Sequence, residues 1–272
     1  MHTHLRNSIV CGALCIAVPA VAQQPPESAA LIKSAVALDL DGHYADARAQ
    51  LTKAIGLADS DSLKTRARRT LAVSYAFTCD RTDAAAVEHQ IIDPRLSGRD
   101  FTGAADVDNE LARILLECGD LKGALDTYRA GHDAALQAPA LSDSARDLWN
   151  FRWEHAQARI AARRGARDDA MQHVAAAKAI LDKGTNPDQA RFFPYLTGYV
   201  ALYTSDYKTA ISDLQRADQR DPFVLCLLAQ AYERSGDKAQ AGVYYRKVLE
   251  FDNHNPPNAF ARPVAKKKVA AS

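Results

Sequence analysis

Two groups of side chains in this chain have the spacing and chemistry of a recognition surface. Tyr195, Tyr199 and Tyr203 recur every four residues, and upstream of them stand Arg152, His155, Arg159 and Arg163. On a helix each group falls along one face. A tyrosine brings a large rigid contact area and a hydroxyl that needs a partner. A guanidinium clasps a carboxylate through two parallel hydrogen bonds and is enriched where interfaces concentrate their energy. Asn109 and Arg113, four apart, have the same character. The chemistry is that of holding an acidic partner. The competing reading packs the tyrosines between neighbouring helices and leaves the arginines as a solvated face.

Bond-making chemistry has no comparable signature. His43, His89, His132, His155, His173 and His254 include no pair at i, i+3 or i, i+4, so no helix presents two imidazoles to a metal. Glu154 and His155 are adjacent and point to different faces. H-E-x-x-H, G-x-S-x-G, the phosphate-binding P-loop and G-x-G-x-x-G do not occur. The expectation is a non-enzymatic chain with no metal and no cofactor.

The elements that must carry these faces are clearest between Pro194 and Asn253. Gly198 precedes Ala210 by twelve residues, and Leu214 and Ala217 follow it by four and seven. The next unit runs Leu228-Ala229-Gln230-Ala231-Tyr232 to Gly236, then Ala241, Tyr245 and Val248 at the same intervals. Small residues let two helices touch, and bulky ones a turn away fill the space beside them. Gly236 can end a helix in the left-handed conformation, and Asp237 can cap the next. Asp221-Pro222 reads as an N-cap followed by proline at the first helical position.

This punctuation resembles the tetratricopeptide repeat, with its L-G-x-x-Y first helix and A-x-x-x-F second helix. Pro194 and Leu225 stand where that family often has tryptophan. The resemblance implies an all-α, right-handed superhelical solenoid of about six helix–turn–helix repeats over residues 23–254. The second-helix alanines would be Ala47, Ala84, Ala124, Ala170, Ala210 and Ala241. The second repeat is irregular, because Glu88 occupies a bulky apolar position, and an extra residue after Cys79 that shifts the register would explain it. Residues 93–103 (with Pro94, Gly98 and Gly103) read as a loop. The first helix of the fourth repeat starts early, near Ser142, anchored by Trp149, Phe151 and Trp153. No stretch alternates with period two, so almost no strand is expected.

In tetratricopeptide proteins the concave side is lined by first helices. Carried over residue by residue, the partner-binding groove would be formed by Tyr195, Tyr199, Tyr203, Arg152, His155, Arg159, Arg163, Asn109 and Arg113. Arg66, Arg69 and Phe77 come from the second repeat and Phe192 stands beside the tyrosines. The family's Lys/Asn carboxylate clamp is not reproduced. The expected function is a protein–protein interaction scaffold that holds a peptide or protein of acidic character. The alternative is a structural module that self-associates into a homo-oligomer through aromatic surfaces.

Residues 1–22 carry one charge, Arg6, then an apolar run from Ile9 closed by Ala20-Val21-Ala22, the form of a cleaved secretory signal. Cys11 and Cys15 lie inside it without a lipid-attachment pattern. The apolar run is shorter than the ~20 residues of a membrane span. The bacterial periplasm is therefore the expected compartment. Of 34 basic and 33 acidic residues, cleavage removes only Arg6 and leaves 33 of each. A balanced chain lacks the basic excess of a nucleic-acid binder. Cys79, Cys118 and Cys226 remain. The first two end neighbouring first helices, but packed helices lie ~8–10 Å apart and a bridge needs Cα atoms within ~7 Å. Free thiols are expected, with the bridge as the lesser reading. Residues 255–272 read as a short basic tail, stopped by Asn255-Pro256-Pro257 and frayed beyond it.

Overall fold

A computed structural model describes residues 26–271; the secretory signal expected over residues 1–22 lies outside them. Among the described residues there are thirteen α-helices, one 3₁₀ turn and no strand. The helices are α1 (Glu27–Asp41), α2 (Tyr44–Leu57), α3 (Asp61–Ala76), α4 (Arg81–Ser97), α5 (Phe101–Glu117) and α6 (Leu121–Leu136). They continue with α7 (Asp143–Arg163), α8 (Arg167–Asp182), the 3₁₀ turn Pro187–Phe192, α9 (Phe193–Tyr203) and α10 (Tyr207–Arg216). The last are α11 (Pro222–Ser235), α12 (Lys238–Leu249) and α13 (Pro256–Ala270). Odd and even members from α1 to α12 pair as hairpins, and the hairpins stack in chain order into a helical solenoid.

A single contact rule builds every hairpin. Ala35, Ala72, Ala112, Ala158, Gly198 and Ala229 each stand twelve residues before a second-helix alanine. The second-helix alanines Ala47, Ala84, Ala124, Ala170 and Ala210 are 0% exposed and Ala241 3%. Small atoms on both partners let the backbones close in. At Gly198 the approach leaves no room for a side chain, because a Cβ there would lie 2.7 Å from Leu214 Cγ.

The turn is equally regular. The residue before each second-helix cap has positive φ: Gly42, Gly119, Gly165 and Gly236 at four of the turns, Cys79 (54°) and Ser205 (67°) at the other two. In four cases the cap is an aspartate, Asp80, Asp120, Asp206 or Asp237, whose carboxylate accepts from a backbone N–H three residues on.

Three sequence expectations are corrected. First, no extra residue shifts the second repeat. Ala84 follows its cap Asp80 by four like the other alanines, so Glu88 sits at the bulky core position and is 0% exposed. Both its carboxylate oxygens are buried without a hydrogen-bond partner among the described residues. Burial, reinforced by the nearby Glu110 and opposed by Arg69, pushes its pKa up to about 9. Second, most of the loop expected over 93–103 is helix, since α4 runs through Pro94 to Ser97 and α5 begins at Phe101. Pro94 deprives the Gln90 carbonyl of its helical donor, and Arg68 Nη1 supplies a substitute at 3.4 Å.

Third, the C-terminal segment is no frayed tail. Asn255 caps α13, accepting from Asn258 N at 3.0 Å, and Pro256 takes the first helical position. The motif that stops one helix starts the next. Ala259, Phe260, Ala261 and Ala265 are buried against α11 and α12, and α13 also touches α3 and α5 across the concave side. Two of its basic residues reach the first repeat. Arg262 Nε and Lys266 Nζ donate to the Leu40 carbonyl at the end of α1, at 3.0 and 2.8 Å. Beside them His254 Nε2 and Ser74 Oγ hold the buried Asp39 carboxylate at 2.7 and 2.8 Å. The last helix thus ties the first repeat to the last.

The cysteine expectation also changes. Cys79 and Cys118 form a disulfide, with Cα atoms 5.3 Å apart. The helix-spacing argument fails because neither residue lies in the body of its helix. Cys79 is in the left-handed turn after α3 and Cys118 caps α5, where the chains converge. Cys226 is free and buried.

Two outcomes follow from these corrections. The bridge closes a sequence separation of 39 residues, for which removal costs roughly 2–4 kcal/mol. Dithiothreitol is expected to lower the Tm by roughly 5–15 °C and to leave a Cys79→Ser/Cys118→Ser variant unmoved; an equal response from both proteins would contradict the pairing. Glu88 has a folded pKa above its unfolded value, so the folded state holds the extra proton and stability falls as pH rises from about 4.5 towards about 9. Asp108, raised to about 6 mainly by burial, adds slope in the same direction. Glu88→Gln should flatten the Tm profile and gain roughly 3 kcal/mol at neutral pH relative to wild type; parallel profiles would contradict the burial argument.

Candidate functional site

The first helices α3, α5, α7 and α9 line the concave side, and α13 covers part of it. What stays open is a pair of adjoining cavities. The larger, about 420 Å³, lies between α5, α7, the 3₁₀ turn with α9, and the Pro256–Pro257 start of α13. Asn109, Arg113, Arg152, His155, Arg159 and Tyr195, six of the nine residues expected from sequence, line it. The smaller, about 390 Å³, lies over α3 and is lined by Arg66, Arg69 and Thr70, with Glu110 and Pro256 common to both.

The other three expected residues stand behind the cavity wall. Tyr199 is 0% exposed, so it packs inside and offers no surface to a partner. Its hydroxyl donates to the Glu117 carboxylate at 3.2 Å, and Arg163 Nη1 donates to the same carboxylate at 3.1 Å. Tyr203 packs on Tyr199 with centroids 4.6 Å apart and lies under the Arg163 guanidinium at 4.8 Å. Tyr199 is therefore a packing residue, and Tyr203 is half-buried against it. Phe77, from the second repeat, likewise packs on Tyr44 and His254.

Inside the cavity the polar groups are unequally satisfied. Arg152 bridges to Asp106 at 2.8 Å, and Glu110 to Arg69 at 3.0 Å, so both carboxylates of the wall are engaged. Arg159 is buried; its Nη2 donates to the Tyr128 hydroxyl at 2.9 Å and its Nε to the His155 carbonyl at 3.3 Å. Arg113 lies over the rings of Phe223 and Phe260 at 5.5 and 5.8 Å, and its buried Nε has no hydrogen-bond partner among the described residues. The Tyr195 hydroxyl is in the same condition. Asn109 Nδ2 is spent on the Ala105 carbonyl of its own helix, at 3.0 Å.

The electrostatics are lopsided. Three guanidiniums, Arg113, Arg159 and Arg163, act on the single carboxylate of Glu117. Burial raises the Glu117 pKa, while Arg159, Arg163 and Arg113 in that order pull it down. Burial, with Arg159 and Arg113 alongside, holds His155 well below the usual imidazole range, so at neutral pH it is an uncharged ring. It stacks on Tyr195 at 5.6 Å and meets Phe151 edge-on at 5.7 Å. The cavity therefore combines cationic donors at one end with flat apolar walls.

Several lining residues were not anticipated. Tyr128 comes from a second helix, and Pro256 and Pro257 from the segment read as a tail. Helical periodicity within first helices gives no signal for either. Among the described residues no group of three or more His, Cys, Asp or Glu side chains could hold a metal ion, and no helix is long and apolar enough to cross a membrane.

Comparison with known proteins adds the following. Residues 224–255, which span most of α11 and all of α12, match the tetratricopeptide repeat family. No curated protein sequence matches the chain. Among solved structures, a tetratricopeptide repeat protein from Parabacteroides merdae is similar, with a TM-score of 0.38, 12% identity and coverage of 90% of this chain and 98% of the other. The TPR2AB domain of yeast Sti1, solved as a pHSP90 complex, gives a TM-score of 0.33 at 11% identity, covering 89% and 97% of the two chains. The TPR domain of P58(IPK) gives 0.25 at 12% identity, covering 90% and 79%. Residues 224–255 thus match a tetratricopeptide repeat, and the same alanine spacing and turn geometry run back from it to α1.

Proposed function

We propose that the chain is a protein-interaction scaffold of the bacterial cell envelope that holds an acidic segment of a partner polypeptide in the open part of its concave groove. The observation that carries this reading is the charge balance of the two adjoining cavities. Their arginines outnumber their carboxylates, and both wall carboxylates, Asp106 and Glu110, are already paired. A segment laid from α3 towards α9 meets Arg66 and Arg69 first, then Arg113 and Arg159. Such a field steers an acidic partner and rejects a basic one. The envelope assignment rests on the signal-like residues 1–22. Trp149 and Tyr199 are interior, at 4% and 0% exposure, and offer no surface to the alternative, self-association.

Charge reversal in the groove tests the proposal without touching the core. Arg66 is exposed and Arg152 half-buried, so Arg66→Glu/Arg152→Glu is expected to fold. Affinity capture from an envelope extract should lose the wild-type partner with this variant, by about tenfold or more, and keep it with Lys178→Glu on the exposed face of α8. The captured full chain should begin at Gln23. Identical partners for all three baits would contradict the groove, and a retained Met1 would contradict export.

A further inference from the structure

We propose that the cavity between α5, α7, α9 and the start of α13 is a binding site for a free small acid that carries an aromatic ring. This does not depend on the peptide reading of the groove. At its inner end Arg113 Nε and the Tyr195 hydroxyl are buried donors with no hydrogen-bond partner among the described residues. Buried polar groups left unpaired in this way are rare and need an explanation. Arg159 commits Nε and Nη2 to His155 and Tyr128 and leaves Nη1 for a third partner. Among the described residues no carboxylate is hydrogen-bonded to these donors; Asp221 acts on Arg113 through its charge, but its Oδ1 caps α11 by accepting from Phe223 N. Asp106 is held by Arg152, Glu110 by Arg69, and Glu117 lies behind the wall, bonded to Arg163 and Tyr199. A planar carboxylate accepts from two guanidiniums and a phenol at once.

The rest of the cavity fixes the body of the ligand. His155, Phe151 and Tyr195 form a connected set of rings, and Phe192 and Pro257 complete the lining. These are flat apolar faces that an aromatic ring can stack on. The volume, about 420 Å³, lies at the small end of ligand pockets. Residues of α5, α6, α7, the 3₁₀ turn with α9, and the start of α13 line it, and the Arg69–Glu110 pair stands at its boundary with the cavity over α3. A volume of this size matches a small free molecule. An acidic side chain of a bound peptide would present the same carboxylate, and the test separates the two sources.

The experiment is isothermal titration of the full, disulfide-bonded chain with 3-phenylpropanoate. The comparison probes are 3-phenylpropanamide, inorganic phosphate, and an N-acetylated, C-amidated pentapeptide with one central glutamate. The acid is expected to bind at least about tenfold more tightly than each of the others. Tyr195→Phe removes only the unpartnered hydroxyl, keeps the ring stack, and should weaken the acid about tenfold; Arg113→Gln should weaken it further. If Arg113→Gln does not fold, Tyr195→Phe alone decides. Equal binding of acid and amide, tighter binding of phosphate or of the peptide, an unchanged affinity in Tyr195→Phe, or no binding of the acid would each overturn the assignment. Tighter binding of the peptide would favour the polypeptide reading of the groove, which the charge-reversal variants test separately.

Discussion

Glu117 is the group on which the concave face depends. It is the one carboxylate among three guanidiniums, its side chain 4% exposed, and it is bonded to Arg163 from α7 and Tyr199 from α9. A buried ion pair of this kind is costly to desolvate and still more costly to break. It therefore acts as a constraint on register, because α5, α7 and α9 must bring these three side chains to one point. Once they do, Arg113 and Arg159 are left on the cavity side with no carboxylate hydrogen-bonded to them among the described residues. The same interaction that fixes the helices creates the excess positive charge that a partner could neutralise.

Around that point the solenoid is held by repetition. A small residue on each first helix and an alanine twelve residues later bring the backbones together, and a left-handed residue followed by a cap reverses the chain. Each hairpin buries its apolar face only against neighbours, which is what makes a repeat array extendable and leaves its ends needing closure. Here α13 provides the closure by an unusual route. It covers α11 and α12 and also reaches the Leu40 carbonyl of the first repeat through Arg262 and Lys266. The Cys79–Cys118 bridge ties α3 to α5 on the same side. The concave face is thus narrowed to its open part between α3 and α9.

The fold was legible because its contact rule is local. The interval from Gly198 to Ala210 can be read without knowing any tertiary contact, and it transfers to every other hairpin. Glu88 breaks the pattern in residue type only, because its position four residues after Ala84 is intact. Pro94 gives no local sign of being helical, because the donor that replaces its N–H comes from Arg68, on the preceding helix of its hairpin. The site was half legible. Helical periodicity put Arg113, His155, Arg159 and Tyr195 on the right faces, but it could not tell Tyr195, which lines a cavity, from Tyr199, which is sealed beneath it. One turn of helix separates the two, and the difference lies in what the neighbouring helices cover. Tyr128, Pro256 and Pro257 arrive by chain topology, which leaves no periodic trace.

The central claim is that the open groove between α3 and α9 is where a polypeptide partner is held. Site-specific photo-crosslinking tests it directly, with a photoreactive residue at position 109 in the groove and, as reference, at position 178 on the exposed face of α8. The account predicts a discrete adduct from position 109 that excess acidic competitor peptide abolishes, and none from position 178. Equal adducts from both positions, or an adduct from 178 alone, would contradict it.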